Sequence, residues 1–372
     1  MKSLKIGTLF SGGLAAVEWA MKYEEFEHEI VFACEWDKYA RKQYLAFHGE
    51  PTSNFYEDVS DMDGKPYLNT IDLMVWGSPC QDLSLAGKRK GFDGEKSSLF
   101  REGARIMSEV MPKSFIFENV KGLLSSNGGA DYKEVEKTFR ELGYHMAMKV
   151  VNAKDQGTAQ NRERVFVVGF LDLDAYHDFH FADSVPLTKV LRDYLESEVD
   201  DKYYLSEKMI KGFTTGKEEY QDNGCGFKFQ TKENDTIANC LDTKEGNRVH
   251  NNFLKVKSAT KKGYEVATEN DSINFTHPSS KTRRGRVGVG VAQTLDCACN
   301  QAVIEPNVLD FRIRRLTPIE CFRLMGMKDE DIILVNSDTQ SYKIAGNGIE
   351  INTMCSLIRQ LYRPVKSSMS LF

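Results

Sequence analysis

The 372-residue sequence lacks several signatures that would assign it to a common class of protein. It has no run of about 18 consecutive apolar residues, so we expect no transmembrane helix. The N-terminal segment MKSLKIGTLF is too short and too strand-like for a signal peptide, and a soluble cytoplasmic protein is expected. None of the eight cysteines forms a CxxC pair, which argues against a zinc ribbon or a redox dithiol. We therefore expect reduced thiols and no metal site.

Two common phosphate-binding motifs are also missing. Neither GxGxxG nor GxxxxGK[ST] occurs, so the sequence predicts no phosphate cradle. The N-terminus instead contains an apolar, strand-like run at 4–10, then Gly12-Gly13, then the helix-like segment LAAVEWAMK. A strand, a glycine turn and a helix form the opening unit of nucleotide-binding α/β folds, although such a glycine pair is also found in ordinary tight turns.

Acidic residues follow in positions that suit a nucleoside. The predicted strand at 29–36 ends near Glu35, roughly 20 residues after the glycine turn, where it can accept hydrogen bonds from ribose hydroxyls. Asp58 precedes the apolar run 71–76 and is placed to accept a bond from an adenine amine. The glycine turn and the two acids together indicate an adenosyl ligand without a polyphosphate, whereas either acid alone is more typical of a protein surface.

The loop after the run 71–76 carries a candidate nucleophile. The chain breaks at Gly77-Ser78-Pro79 into a polar segment that contains Cys80. A lone cysteine is more often a buried, inert side chain. Here the stiff Pro79, the polar residues that follow and the basic residues 88–90 favour an accessible thiolate. Loops beyond strand ends line the ligand crevice of α/β enzymes, which makes Cys80 a nucleophile candidate.

Three further charged residues belong to predicted strands. Glu118 ends the strand that begins at 113, on the sheet edge where Cys80 is expected, which suits a nucleophile and an acid. Arg162 and Arg164 alternate at the start of the apolar strand QNRERVFVVGF. Two arginines that enter a core are costly unless they bind an anionic or polar group.

The second half of the chain has a different character. From about 187 to 310 the strand–helix alternation fades, and residues 251–290 hold 8 Lys/Arg against 3 Asp/Glu, a local charge of +5 in a chain of net charge -5. Such a patch suits a phosphate backbone, with a solvated charged face as the alternative. Thr317, Pro318 and Glu320 then predict a helix start. An amphipathic helix is predicted from about 349 to 362.

The order of these segments resembles the cytosine-5 DNA methyltransferase family of bacteria and phages. The resemblance covers most of the chain outside roughly 190–305. It is carried by FSGG (10–13), EWD (35–37), GSPCQDLS with the later KRKGF, ENVKGLL (118–124), QNRERVFVVG, RRLTPIECFRLMG and YKIAGNG. Six or seven motifs in family order are very specific. Leu14 and Ala15 replace two glycines of the usual first motif, and Gly348 replaces a serine of the last; since these positions contribute mainly backbone, activity is expected to survive.

The resemblance implies a doubly wound, Rossmann-like α/β domain that binds S-adenosylmethionine, with a smaller irregular, β-rich target-recognition domain. The catalytic domain is expected at 1–186 plus 338–372, and the recognition domain and hinge at 187–337. Double-stranded DNA is the implied substrate, because family members that act on RNA have a smaller insert than the one at 190–305. The alternatives are an enzyme that methylates a transfer RNA cytosine and a catalytically inactive DNA-binding regulator. A monomer is expected, with a cognate restriction endonuclease acting separately as a candidate partner.

The resemblance also implies residue roles. Cys80 adds to carbon 6 of a flipped-out cytosine, Glu118 protonates ring nitrogen 3, Arg164 binds the base carbonyl and holds Glu118, and Arg162 supports this network or a phosphate. The methyl group then reaches carbon 5, the proton of carbon 5 is lost and the thiol is eliminated. The implied cofactor pocket comprises Phe10, Ser11, Gly12, Gly13, Glu35, Trp36, Asp58, Pro79, Leu99 and Asn347. The implied DNA contacts are Gln81, Ser84, Arg283, Arg284, Arg286 and Thr294.

Overall fold

A seven-stranded sheet is the centre of the structure, a computed structural model that describes residues 3–78, 97–214, 254–305 and 312–362. Its strands are β1 Leu4–Leu9, β2 His28–Cys34, β3 Asn54–Tyr56, β4 Leu73–Trp76, β5 Ser114–Val120, β6 His145–Asn152 and β8 Glu163–Phe170. They run in the order β3-β2-β1-β4-β5-β8-β6. Strands β1 to β5 pair in parallel, and β8 is antiparallel to both of its neighbours.

This strand order confirms the predicted doubly wound fold. The chain winds outward from β1 through β2 to β3, then returns to the middle and winds the other way from β4 to β5. The order therefore reverses between β1 and β4. In such sheets the ligand crevice lies beyond the carboxyl ends of the strands at this reversal.

Helices cover both faces of the sheet. In the described residues they are α1 Ala16–Tyr23, α2 Lys38–His48, α3 Ser97–Val110, α4 Ala130–Glu141, α5 Leu173–Asp178, α6 Glu207–Phe213, α7 Pro318–Arg323, α8 Asp338–Asn347 and α9 Ile351–Tyr362. On one face Ile6, Leu73 and Ile116 share a core with α1 and α9. On the other, Trp76 and Phe117 share a core with α3 and α4. Successive strand residues point to opposite faces, so one strand contributes to both cores.

The predicted start of α7 is confirmed in detail. The Thr317 hydroxyl accepts a hydrogen bond from the Glu320 N–H at 3.2 Å, and the Glu320 carboxylate accepts one from the Thr317 N–H at 2.8 Å. Pro318 occupies the first helical position, where its missing N–H costs nothing. Within the described residues, no helix combines the length and apolar character needed to cross a bilayer.

The basic half of the chain forms short, irregular strands, as predicted. The strands here are β9 Leu254–Lys257, β10 Tyr264–Ala267, β11 Ser272–Asn274, β12 Val287–Gly288, β13 Ala292–Gln293, β14 Gln301–Glu305 and β15 Arg312–Arg315. An antiparallel sheet has the order β12-β11-β14-β15, and a hairpin joins β9 and β10. Strand β13 pairs with β7, Gln160–Asn161, which precedes β8 in the chain. A small core that includes Val256, Ile273 and Ile304 joins the four-stranded sheet and the hairpin.

Packing crosses the predicted domain boundaries. Leu191, Leu295, Leu316 and Phe322 all fall between 187 and 337, yet they are buried in the same core as Ile6 of β1. The division at 186/187 and 337/338 therefore stays a prediction about folding units. The described contacts instead join the ends of the 187–337 segment firmly to the large sheet.

Candidate active site

A cleft opens where the strand order reverses between β1 and β4. It holds about 470 Å³ of space that communicates with solvent. Its walls are the end of β1, residues 10–12 of the following turn, the start of α1, the end of β4, Glu118 and residues 347–349. Residues from the first, middle and last parts of the chain thus meet at the crevice that the topology predicts.

The turn 10–13 is held by backbone geometry. Phe10 and Gly12 both have left-handed backbones, with φ of 51° and 66°. The Ser11 N–H donates to the Cys34 carbonyl at 3.0 Å, which ties the turn to the end of β2. A Cβ on Gly13 would lie 3.1 Å from the backbone of Ala40, so a glycine lets α2 pack closely. Phe10, Ser11 and Gly12 therefore line the cleft, while Gly13 packs against α2.

Glu35 is fixed at the end of β2 by two N–H groups. Gly12 donates to one carboxylate oxygen and Asp37 to the other, both at 2.8 Å. Burial raises the pKa of Glu35, and these two bonds oppose the rise by stabilising the charged form. The next residue, Trp36, leaves 75% of its surface exposed. The fixed carboxylate of Glu35 is suited to accept hydrogen bonds from ribose hydroxyls, and the exposed indole of Trp36 is suited to stack on a purine ring.

The remaining predicted cofactor residues have diverse environments. Asp58 accepts a hydrogen bond from the Ser60 N–H at 2.8 Å and begins a short helical turn. Leu99 packs at the margin of the core that contains Trp76. Asn347 is exposed on the cleft wall, where its side-chain oxygen accepts from the Cys297 thiol at 2.9 Å. Pro79, Cys80, Gln81 and Ser84 lie outside the described residues.

Glu118 and Arg164 form an ion pair at the edge of the cleft. The Arg164 Nε lies 3.1 Å from the Glu118 carboxylate, and both side chains are about 15% exposed. They meet because β5 and β8 are antiparallel neighbours with Val120 opposite Arg164. Burial raises the pKa of Glu118, and the nearby guanidinium groups of Arg164 and Arg162 oppose that rise. The pairing predicted for Glu118 and Arg164 is present in the structure.

Gly77 brings the end of β4 against Glu118. A Cβ at this position would lie 2.8 Å from the Glu118 main-chain oxygen and 3.1 Å from its carboxylate. Only a glycine permits so close an approach. The buried Asn119 side chain also reaches back toward the Ser78 carbonyl, at 3.5 Å. The chain therefore leaves β4 beside the Glu118–Arg164 pair, three residues before Cys80.

Arg162 has a structural position that corrects part of the expectation. It is 3% exposed, and its guanidinium donates to the carbonyls of Gly346 and Gly348 at 3.1 and 2.6 Å. Burial lowers its pKa to about 9. A side chain enclosed in this way is not available to a phosphate, so that alternative is wrong. Arg162 instead clamps the turn between α8 and α9 to the sheet.

Arg286 also needs correction. It is 1% exposed, and its guanidinium donates to the carbonyls of Asn274, Thr276 and His277 at 2.7–3.0 Å. It therefore holds the loop after β11 and has no surface to offer DNA, contrary to the prediction. Glu265 in turn accepts the N–H groups of residues 285–287 at 2.8–3.0 Å. These two residues build the frame of the basic turn.

The other predicted DNA residues remain accessible to different degrees. Arg284 is exposed, with its Nε donating to the Ala259 carbonyl at 3.1 Å, and Arg283 is half-buried. Thr294 is half-buried, and its hydroxyl donates to the Asn161 carbonyl at 2.8 Å. Thr294 thus directly follows β13, and its partner Asn161 is the last residue of β7, next to Arg162 in the chain.

The two departures from the family pattern are in contact with each other. A Cβ on Gly348 would lie 2.7 Å from the Leu14 Cδ2 and 3.0 Å from its Cβ. Leu14, which replaces a glycine of the first motif, thus occupies the space that the side chain of a serine at position 348 would need. Because Gly348 has an ordinary φ of -69°, a serine there is opposed by this contact and not by backbone strain.

Gly348→Ser is therefore expected to destabilise the protein by about 1–3 kcal/mol through overpacking. Leu14→Gly should relieve the clash. The double variant should therefore lose less free energy of unfolding than the sum of the losses in the two single variants. Urea unfolding of the four proteins measures this coupling, which should reach about 1 kcal/mol. Strictly additive effects would show that the two positions do not compensate.

Sequence reasoning missed Glu18 on the cleft wall. This acid is buried in α1, amid apolar neighbours in the segment LAAVEWAMK. A carboxylate on the apolar face of an amphipathic helix is unusual, and that pattern is the signal that could have found it. Asn119 was also missed; it lies within the segment ENVKGLL, and its 1% exposure shows that its role is internal.

Comparisons with known proteins agree with this geometry. The family described as C-5 cytosine-specific DNA methylase matches residues 4–363. The chain is 28% identical to the orphan methyltransferase M.SPRI of Bacillus phage SPR, over 97% of this chain and 98% of that one. It is 32% identical to the type II methyltransferase M1.ScrFI of Lactococcus lactis subsp. cremoris, over 91% of this chain and 73% of that one.

Solved structures share the fold at lower identity. The S. pombe Dnmt2 methyltransferase superposes with a TM-score of 0.59 at 17% identity, covering 98% of this chain and 99% of that one. A putative DNA modification methyltransferase from an E. coli prophage gives 0.58 at 18% identity, covering 97% and 99%. With the family match over nearly the whole sequence, the chain belongs to the C-5 cytosine-specific DNA methylase family and is a DNA (cytosine-5-)-methyltransferase.

Proposed function

We propose that the enzyme methylates carbon 5 of one cytosine within a short recognition sequence of duplex DNA, through a covalent Cys80 adduct. The observation that carries this proposal is the Glu118–Arg164 pair at 3.1 Å, packed against Gly77 just before the nucleophile loop. A partly buried carboxyl beside a guanidinium can protonate and hold a base that is brought to it. Such a base must first leave the stacked duplex, at a cost of a few kcal/mol.

The proposed chemistry overcomes the low nucleophilicity of cytosine carbon 5. The Cys80 sulfur forms a bond to carbon 6, and the displaced electron pair moves into the ring as Glu118 protonates nitrogen 3. Carbon 5 then has enamine character. Once carbon 5 carries the methyl group, its proton leaves to a base, the double bond to carbon 6 re-forms, and the sulfur departs with its electron pair.

Arg164 and Arg162 have separate roles in this proposal. Arg164 binds the carbonyl oxygen of the base and holds Glu118, because its guanidinium has more donors than the single ion pair uses. Arg162 fixes the Gly346 and Gly348 carbonyls and acts by positioning the turn that carries Asn347. The raised pKa of Glu118 keeps a larger fraction protonated near neutral pH than an ordinary glutamate would.

The cleft fits S-adenosylmethionine, which supplies the methyl group when it is bound. The absence of a phosphate cradle suits an adenosyl ligand with no polyphosphate. Glu35 would bind the ribose hydroxyls with lone pairs that the two N–H groups leave free, and the exposed Trp36 indole would cover the adenine. Asp58 would accept from the adenine amine. Phe10, Ser11, Gly12, Gly13, Pro79, Leu99 and Asn347 would complete the pocket.

Sequence recognition is proposed for the basic half of the chain. Arg283, Arg284 and Thr294 remain candidate contacts, while Arg286 supports the turn from inside. Gln81 and Ser84, in the nucleophile loop, are proposed to contact the DNA backbone or to fill the gap left by the flipped base. The exposed Arg284 can reach a phosphate or a guanine edge, the two commonest partners of arginine in protein–DNA complexes.

The assembly and setting of the enzyme also form part of this proposal. We propose a monomer that acts in the cytoplasm on duplex DNA. One similar protein is named an orphan methyltransferase and another a type II methyltransferase, so a cognate restriction endonuclease would be a separate protein if present. The transfer RNA and inactive-regulator alternatives are supported by no described feature of the site.

Base-resolution mapping of 5-methylcytosine in plasmid DNA from expressing cells tests the proposed function. The wild type should methylate a single cytosine within one short motif to near completion and leave other cytosines unmodified. Cells with the empty vector serve as the control. Unmodified plasmid together with new methylcytosine in transfer RNA would identify RNA as the substrate. No new methylcytosine in either nucleic acid would overturn the proposal.

A further inference from the structure

Glu18 is a buried acid on the cleft wall that the reaction described above does not use. It is the third residue of α1 and is 3% exposed. In the described part of the chain neither of its carboxylate oxygens has a hydrogen-bond partner. Leaving an ionised carboxylate buried and unpaired is costly, so such a group usually has a partner in the working state of the protein.

The surroundings of Glu18 contain a hydroxyl and a neutral imidazole from α2. The Tyr44 hydroxyl faces Glu18 and lowers its pKa, which favours the charged form. The two side chains do not, however, meet the geometry of a hydrogen bond. The His48 ring lies 5.3 Å from the Tyr44 ring, and burial lowers the pKa of His48 to about 4, which leaves it neutral. Burial raises the pKa of Glu18 to about 7. No described residue therefore supplies the cation that this carboxylate lacks.

The uncapped N-terminus of helix α1 lies beside Glu18. Helix α1 begins after Ala15, which provides no side-chain cap. The first N–H groups of a helix carry partial positive charge and bind carboxylates when they are left uncapped. Ala15, Ala16, Val17 and Glu18 line the same cleft. A carboxylate site and an ammonium site next to each other match the zwitterionic end of an amino acid.

We infer that Glu18 binds the α-ammonium group of the methionine half of S-adenosylmethionine, while the N-terminus of α1 binds its carboxylate. This inference rests on the proposed cofactor and extends it to a residue outside the resemblance. The ammonium offers N–H donors to both unpartnered oxygens of Glu18. The contact would fix the end of the cofactor opposite the adenine, so the sulfur between them has one position in the cleft.

Isothermal titration with two ligands and the Glu18→Gln variant tests the inference. S-adenosylhomocysteine carries the ammonium group, whereas 5′-methylthioadenosine keeps the adenosyl and sulfur parts but has no amino-acid end. Glu18→Gln, which preserves side-chain size, should weaken S-adenosylhomocysteine at least tenfold and change 5′-methylthioadenosine less than twofold. Glu27→Gln makes the same change at an exposed position and should alter neither affinity.

A third ligand separates the ammonium from the carboxylate. The deaminated analogue of S-adenosylhomocysteine keeps the carboxylate, so the wild type and Glu18→Gln should bind it equally. Loss of affinity for all three ligands in Glu18→Gln, or for none, would overturn the inference and leave Glu18 a structural residue. Failure of the wild type to bind either adenosyl ligand would instead overturn the proposed cofactor.

Stability and pH provide readouts that a purely structural role would not produce. Ligand-free Glu18→Gln should melt at or above the wild-type temperature at pH 8, because it removes an unpaired buried charge. Wild-type affinity for S-adenosylhomocysteine should fall from pH 8 to pH 6, as Glu18 takes up a proton and loses its attraction for the ammonium. Tyr44 and His48 do not change charge in this window, since their pKa values lie above and below it. A lower melting temperature with unchanged affinity would contradict the inference.

Discussion

Cys80→Ala is expected to lower the rate of methyl transfer by more than about 10⁴-fold, to the limit of detection. Without the sulfur no bond forms at carbon 6, and carbon 5 of an aromatic ring stays too poor a nucleophile. The glycine contact that brings the end of β4 against Glu118 supports this role, since it begins the loop beside the acid. Radiolabelled methyl incorporation into plasmid DNA measures the loss. Transfer by Cys80→Ala at a tenth of the wild-type rate would rule out the covalent mechanism.

A duplex with 5-fluorocytosine at the target position provides direct evidence for the adduct. Fluorine replaces the proton that must leave carbon 5, so methylation proceeds but the sulfur cannot be eliminated. The wild type should form a denaturant-stable protein–DNA complex in the presence of S-adenosylmethionine, and Cys80→Ala should form none. Cys297 is the matched control, because it is an exposed thiol close to the cleft. Cys297→Ala should still form the complex.

The sheet and the crevice could be predicted because their signals are local. Apolar runs identify the strands: Glu35 directly follows β2, Trp76 ends β4, and Glu118 lies near the end of β5. Parallel strands place those ends together, so the sequence order of the acids becomes a spatial cluster. Glu35 and Glu118 were predictable for this reason, whereas Glu18, which lies inside helix α1, was not.

The partners of the buried arginines could not be predicted in the same way. Arg162 is held by carbonyls more than 180 residues away, at Gly346 and Gly348, and Arg286 by the carbonyls of a loop that precedes it. A basic sequence window reports charge but not which side chains turn inward. The Leu14–Gly348 contact follows the same rule: each departure is visible alone, but only the fold shows that one makes room for the other.

Packing across the predicted domain boundary has a similar origin. Strand β13 pairs in parallel with β7, so Ala292 lies opposite Gln160 although 132 residues separate them in the chain. Two-residue strands leave almost no periodic signal. Composition could therefore identify the basic half as distinct but could not show that residues 292–293 pair with a segment from the first half of the chain.

Glu118→Gln is expected to lower kcat by about 10²–10⁴-fold, the usual contribution of a general acid. Glutamine has nearly the same shape and can donate a hydrogen bond to nitrogen 3, but it cannot transfer a proton. Glu163→Gln is the matched control, since Glu163 is an exposed residue one position before Arg164 that pairs with Lys121 at 2.9 Å. It should keep kcat within about twofold. A Glu118→Gln enzyme with wild-type kcat would exclude Glu118 as the acid.

The pH profile distinguishes proton transfer from mere positioning. Burial raises the pKa of Glu118 and the two arginines oppose the rise, so the protonated form persists to higher pH than in an ordinary glutamate. Activity should therefore fall as pH rises through this elevated pKa, because the acid form is lost. Glu118→Gln should lack that limb, while Glu163→Gln should retain it. Glu118→Gln should also still form the 5-fluorocytosine complex slowly, because the Cys80 sulfur remains, and this result would separate the acid from the nucleophile in a single assay.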